Sequence, residues 1–424
     1  LNTRIAGIVD VFSNRDFAIF TAGNALALIG LWVQRLAVGW LAWHLTESGF
    51  WLGAVAFADL FPVVVVGPFA GVLADRVDRR RIILICKFLH LTQAVSLAVL
   101  VGLGWARIEV VFGLTLFAGT VVGLQQAARL AIVPSMVRGQ NLGQAVAINS
   151  VIFNLARFVG PALAGMLITG PGVTVAFAAA AGGHLAVVLA ILAIRPDPPQ
   201  DLKHRGVLQE IWDGIRYTFG HKALAPLLIL AAIGSLLSRP VFELLPGFAD
   251  QVFGRGAGGL AILTSAVGAG AIVAGIWLAQ RPGGVGGLTR ITLVYFILMG
   301  VLSAAFGLTS WFWLGVLLMA MCGGAMVATG TGTQTLVQTS VAAHMRGRVL
   351  SIWGIVIRGG PAIGALMMGS LAEGWGFGIP VALGGLICVL IGGWVYLRRQ
   401  SDLVRLLEGG EAAVPEKADD RGAS

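Results

Sequence analysis

Six ionisable side chains sit inside long apolar runs of this sequence: Arg35, Asp59, Arg157, Arg239, Glu243 and Arg358. Charge near the centre of a bilayer costs about 2.5–3.5 kcal/mol on insertion scales, so each is read first as functional. The chemistry open to them is binding and proton transfer. Asp59 and Glu243 are the deep carboxylates, and one of them is the expected proton carrier. Guanidinium groups keep their protons. Four arginines against two carboxylates therefore leave positive charge that needs water, carbonyl oxygens or an anionic ligand. That balance points to a substrate with acidic or electron-rich oxygens. The opposite assignment is a lipophilic cation held by Asp59 or Glu243, with the arginines satisfied by carbonyls.

Spacing suggests partners. Arg35 and Asp59 lie equally far from a turn near Glu47, so they are placed at one depth and positioned to pair. Arg239 and Glu243 are i,i+4 and should share a helix face. Arg157 and Arg358 precede two Gly-Pro pairs. The competing reading of all six is ion pairing that fixes helix register. Covalent chemistry has no candidate: HExxH, CxxC, a Walker phosphate loop and GxSxG do not occur. Cys86, Cys322 and Cys388 lie inside apolar runs and read as small buried hydrophobes. Neither a cofactor nor a metal is expected.

These side chains need elements that cross a membrane. The chain has 424 residues, 57% hydrophobic and only 12% charged, against about 25% charged in soluble domains. Twelve continuous apolar runs of about twenty residues fill it, the length of a spanning helix. Alternating barrel strands are excluded. The fold class is all-α integral membrane, with twelve transmembrane helices. The longest polar interval, 195–223, separates a six-helix half, 1–194, from a second, 224–399, and leaves a cytoplasmic tail, 400–424. Within the interval, Leu208, Ile211, Trp212, Ile215 and Phe219 share one face of an amphipathic helix. It reads as a surface tether, or as plain linker.

Lysine and arginine set the orientation. Arg76, Arg79, Arg80, Arg81, Arg138, Arg195, Lys203, Arg205, Arg216, Lys222, Arg281, Arg346 and Arg348 fall on one set of alternate loops, and only Arg107 and Arg255 on the other. The positive-inside rule then puts both termini in the cytoplasm of a bacterial-type inner membrane. The net charge of +9 follows from these scattered loops, so a nucleic-acid partner is not needed. Trp40, Trp43, Trp51, Trp105, Trp311, Trp313 and Trp375 should form a belt at the outer interface.

The halves repeat each other. GPALAG at 160–165 matches GPAIGA at 360–365, LADR at 73–76 matches LAQR at 278–281, and Arg35 matches Arg239. The offsets are 200, 205 and 204 residues. Two pseudo-symmetric bundles of this kind enclose a site at their interface and rock about it.

The stretch GVLADRVDRR then becomes specific. Gly71, Leu73, Ala74, Asp75, Arg76, Arg79 and Arg80 match G-x-L-A-D-R-x-G-R-[RK], with Asp78 in place of the second glycine. With TESGFWLGAV, VGPALAG and RPVFELLPGFAD, the chain resembles the major facilitator superfamily, in the drug:proton antiporter branch that includes enterobactin exporters and macrolide efflux proteins. The resemblance covers about 10–400 and marks the superfamily better than the substrate. It implies the major facilitator fold, a small-molecule substrate exchanged for protons, and a monomer in the lipid bilayer.

It also implies that Asp75 docks on the positive N-terminus of the helix beginning near Arg348, as an inner-gate latch. Arg129 is a second candidate partner for Asp75. Gln280 replaces the aspartate in the second copy, so the latch is expected to be one-sided. Gly160, Pro161 and Gly165 resemble the antiporter signature G-x-x-x-G-P-x-x-G-G, although Ala156 and Ala164 replace two of its glycines. The same residues also read as a simple packing kink.

The expected function is secondary active transport by alternating access: proton-coupled efflux of a small amphipathic compound, drug-like or siderophore-like. A lipid or lysolipid translocator on the same fold is the first alternative. A receptor or an intramembrane enzyme is the second, and the sequence shows neither a signalling domain nor a nucleophile–base pair at depth. Asp59→Asn is expected to abolish proton-driven transport while leaving the protein inserted.

Overall fold

The computed structural model describes residues 11–132, 142–194, 207–281, 285–342 and 345–408, excluding the side chains of 71–76, 127, 129–132, 142 and 207–211. The expectations for Gly71, Asp75, Arg76 and Arg129 concern side chains outside that set.

Thirteen helices of fourteen or more residues carry the described chain. The first six are α1 (Arg15–Thr46), α2 (Gly49–Arg76), α3 (Arg79–Gly102), α4 (Ile108–Ile132), α5 (Leu142–Thr169) and α6 (Val173–Ala193). Next come α7 (Val207–Gly220) and α8 (Leu224–Leu237). The last five are α9 (Gly256–Ala279), α10 (Leu288–Leu308), α11 (Phe312–Ser340), α12 (Arg346–Trp375) and α13 (Gly378–Glu408). Among the described residues, twelve spans are long and apolar enough to cross a membrane, with α8 continuing through broken turns to Val252. The architecture is the expected one: two six-helix bundles and a short helix between them.

Local sequence explains several boundaries. Asn14 accepts the Phe17 N–H at 3.1 Å and caps α1. Glu47 takes a left-handed turn and returns its N–H to Trp43 O at 2.7 Å, which folds α1 back against α2. Asp78 accepts the Arg80 N–H at 2.9 Å and starts α3. The Arg80 guanidinium donates to Ile191 O and Leu192 O, each at 3.0 Å, and so closes the C-terminus of α6. Arg80 thus ties two helices of one half together, a contact its loop position did not suggest.

The seventh span is not one continuous helix: α8 stops at Leu237. A 3₁₀ turn follows at Arg239–Phe242, and a π turn ends the span at Phe248–Val252. Pro240 is the cause, because it has no N–H to donate back to Leu236. The freed Leu236 carbonyl faces Gly364 of α12, where a Cβ would collide with it.

Helix α7 docks on α12. Asp213 pairs with Arg348 at 3.1 Å, and Gly214 lies against the Arg348 side chain. Its Trp212 and Phe219 stay exposed, a placement suited to a bilayer surface. The pair is part-exposed and worth about 0.5–1 kcal/mol. Asp213→Ala should therefore speed amide hydrogen exchange over 212–220 by about two- to fivefold, with transport unchanged. An unaltered exchange rate would show that apolar packing alone holds α7. Between α7 and α8, His221 Nδ1 accepts from the N–H groups of Ala223 and Leu224 at 3.3 and 3.4 Å. Burial holds its pKa below the usual histidine value. The neutral, accepting form therefore serves this cap near pH 7, and the cap is lost as pH falls.

Candidate functional site

Arg35 is the centre of the site. Its Nε lies 3.4 Å from Asp59 Oδ2 on α2, and a terminal nitrogen donates to Glu243 Oε1 at 2.9 Å. One guanidinium thus joins two carboxylates. The first comes from its own bundle and the second from the other. The Arg35–Asp59 pair follows from the Glu47 turn, which brings two residues at equal distances from it to one level. The Glu243 contact was not foreseen.

Arg239 and Glu243 do not pair with each other as their spacing suggested. A 3₁₀ turn over Arg239–Phe242 stands between them in place of the regular helix that would set both on one face. Arg239 instead donates to Ile357 O on α12 at 2.9 Å. The broken span is what lets Glu243 reach across to Arg35.

Arg157 on α5 contacts the Met326 sulfur of α11 at 3.5 Å, again across the two bundles. Its guanidinium lies 5.7 Å from the Trp32 ring, and Arg35 sits at the same distance from that ring. Such cation–π contacts contribute about 0.5–2 kcal/mol according to desolvation. Trp32 thus links the two arginines of the first half. A tryptophan in mid-span, away from the interfaces, was the available signal for it. Arg358 faces the same region, where its charge is felt by both Asp59 and Arg239.

The glycine–proline motif of α5 has two different contacts. A Cβ at Gly160 would strike Trp32 within the same bundle, whereas one at Gly165 would strike Ala261 of α9 in the other. Pro161 is buried between them. Arg79 and Arg80 lie at the far end of the molecule, away from the Arg35 cluster.

At the Glu47 end the bundles are pressed together. Gly49 and Gly53 of α2 meet the backbone of α12 at Gly369 and Ala365 with no room for a side chain. Glu373 of α12 accepts from Ser48 Oγ at 2.6 Å and from Phe50 N at 2.9 Å, so it caps the start of α2. Trp43 Nε1 donates to Asp250 at 2.9 Å, and its ring packs on Phe377 at 5.5 Å. Trp43 is buried in this seam rather than standing in an interfacial belt. Trp105, Trp311 and Trp375 are exposed.

The remaining deep polar residues tie helices of one half. Gln34 donates to Gln93 at 2.6 Å and Asn24 to Asn149 at 3.3 Å. Asn154 bonds back to Ser150 O of its own helix.

Comparison with known proteins agrees with this architecture. A major facilitator family model described as transmembrane secretion effector matches residues 7–408. The enterobactin exporter EntS of Shigella flexneri is 28% identical over 393 residues, covering 88% of this chain and 91% of that protein. The EntS of Escherichia coli O81 (strain ED1a) is 27% identical over the same shares. Among solved structures, a peptide transporter POT superposes with a TM-score of 0.75 at 14% identity, over 93% of this chain and 96% of that one. The nucleoside transporter NupG gives 0.71 at 15% identity, over 90% and 98%. At such identities the structures speak for the fold alone.

Proposed function

We infer that this chain, which belongs to the transmembrane secretion effector family of the major facilitator superfamily, exports a small amphipathic compound in exchange for protons. One observation carries the reading: Arg35 is shared between Asp59 in its own bundle and Glu243 in the other. A contact of that kind reports protonation directly to the relation between the bundles.

The lysine and arginine bias makes the Glu47 end external, so the arrangement described is closed to the outside. Separating the bundles there must break the Arg35–Glu243 bond. Neutralising Glu243 removes the attraction that Arg35 exerts across this seam, whereas Asp59 holds Arg35 within its own bundle. Proton binding from the outside then favours the next state, and substrate meeting the arginines competes for the same guanidinium. Each ligand acts only through its different affinity for the two states. In the reciprocal state, Asp75 is assigned the latch at the inner end, mirroring the cap that Glu373 places on α2. Helix α7 is assigned the role of a surface tether between the two halves. Relatives that export enterobactin favour an oxygen-rich, siderophore-like or drug-like cargo over a lipid.

The test is efflux from a pump-deficient bacterial host carrying the wild type or Asp59→Asn, with a panel of amphipathic compounds and a protonophore control. The wild type should extrude at least one compound against its gradient, and the protonophore should stop it. Asp59→Asn should reach the membrane in equal amount and lose that extrusion. Uptake to equilibrium that ignores the protonophore would overturn the antiport reading.

A further inference from the structure

A cavity lies between α8, α10, α11 and α12, within the second bundle. Much of its wall is apolar, including Phe296, Met299 and Met326. Four of its residues nevertheless bury a polar atom that has no hydrogen-bond partner among the described residues: Ser238 Oγ, Arg239 Nε, Thr329 Oγ1 and Trp353 Nε1. Buried polar atoms are nearly always paired, so four along one cavity point to a missing partner. Arginine and tryptophan nitrogens only donate, and the serine and threonine hydroxyls can do so too. The partner must therefore accept. A guanidinium among the donors makes a charged acceptor the stronger one.

The repeat gives the same answer independently. Arg35 and Arg239 are counterparts at an offset of 204 residues. Arg35 holds two carboxylates. For Arg239, the same offset from Asp59 lands on buried Leu263, and Glu243 is engaged by Arg35. Its one recorded bond is to the carbonyl of Ile357. The second bundle thus keeps the cation, while its own carboxylate, Glu243, gives its direct bond to Arg35 of the first.

We propose that this cavity binds an organic anion of ring size, with its carboxylate or phenolate oxygen on Arg239, Thr329 and Trp353 and its apolar body against Phe296, Met299 and Met326. The proposal names the cargo class of the export reading and depends on that reading for transport but not for binding.

Three probes of matched shape separate the possibilities: 1-naphthoate, 1-naphthylmethanol and 1-naphthylmethylammonium, titrated calorimetrically into the purified full chain. Naphthoate should bind at least about tenfold tighter than the other two. Arg239→Gln should weaken naphthoate about tenfold and leave the alcohol within about twofold. Trp353→Phe keeps a ring but loses the donor, and should weaken naphthoate about three- to tenfold. Its near-native shape guards against a folding artefact, and size-exclusion behaviour checks both variants. Equal affinities for the three probes, no measurable naphthoate binding, or the same loss for every probe in both variants would overturn the proposal. Naphthoate binding without gradient-driven flux of any probe in proteoliposomes would remove the export reading and leave the cavity's chemistry standing. Flux of the ammonium probe without naphthoate binding would do the reverse.

Discussion

Arg35→Gln is expected to lower gradient-driven export at least about a hundredfold, as severely as Asp59→Asn. The reason is the sharing of one guanidinium by Asp59 and Glu243. Without it, two carboxylates face one another across the bundle interface. Like charges so placed cannot both stay ionised, and one retains a proton throughout the cycle. The site then has no proton to exchange. Stability should fall as well. Removing one partner of a fully buried ion pair costs about 3–5 kcal/mol, and an exposed pair contributes about 0–1 kcal/mol. The Arg35, Asp59 and Glu243 side chains are 34%, 32% and 20% exposed, so a cost near 2 kcal/mol is expected. The charge-balanced variant Arg35→Met with Asp59→Leu and Glu243→Leu should recover the stability and not the transport. Thermal unfolding in detergent and flux in proteoliposomes read the two effects separately. Full transport by Arg35→Gln would remove the bridge from the mechanism.

Gly53→Leu should have the second-largest effect. A Cβ at Gly53 would run into the Ala365 carbonyl, and 2.7 Å separates it from Leu366 Cα. Backbone cannot yield as a flexible side chain can, so the Glu47 end must part. Leucine is a good helix former, so α2 itself should persist. The variant is expected to insert normally, hold its Glu47 end open and lose about tenfold or more of its transport. Gly67→Leu is the control, because nothing lies within 4 Å of a Cβ there. Transport at the wild-type level in Gly53→Leu would show that α2 and α12 need not close so tightly.

Much of this was legible in the sequence, because hydrophobic runs of spanning length leave few folds open. The Arg35–Asp59 pair was readable for a further reason. A tight turn at Glu47 converts equal sequence distances into equal depths. The partner of Glu243 was not readable, since its placement depends on Pro240 breaking the seventh span. Once the helix breaks, i,i+4 spacing no longer predicts a shared face. Trp43 misled for a related reason. A tryptophan near a span end usually meets lipid, but here Asp250 offers its indole a buried acceptor. Trp353 and Thr329 carry no signal in an apolar run, and they became visible only as unpaired atoms along a cavity.

Arg35 holds the bundles together through Glu243 until that carboxylate takes up a proton. Spin labels at Trp105→Cys and Trp311→Cys, exposed positions in corresponding loops at the Glu47 end, measure that directly by electron–electron double resonance. Lowering the pH from about 8 to about 5.5 should move wild-type population from the shorter to the longer separation, because carboxylates gain protons in that direction. Glu243→Gln should show the longer separation at both pH values. A distance distribution that ignores both the pH change and the Glu243→Gln substitution would contradict the account.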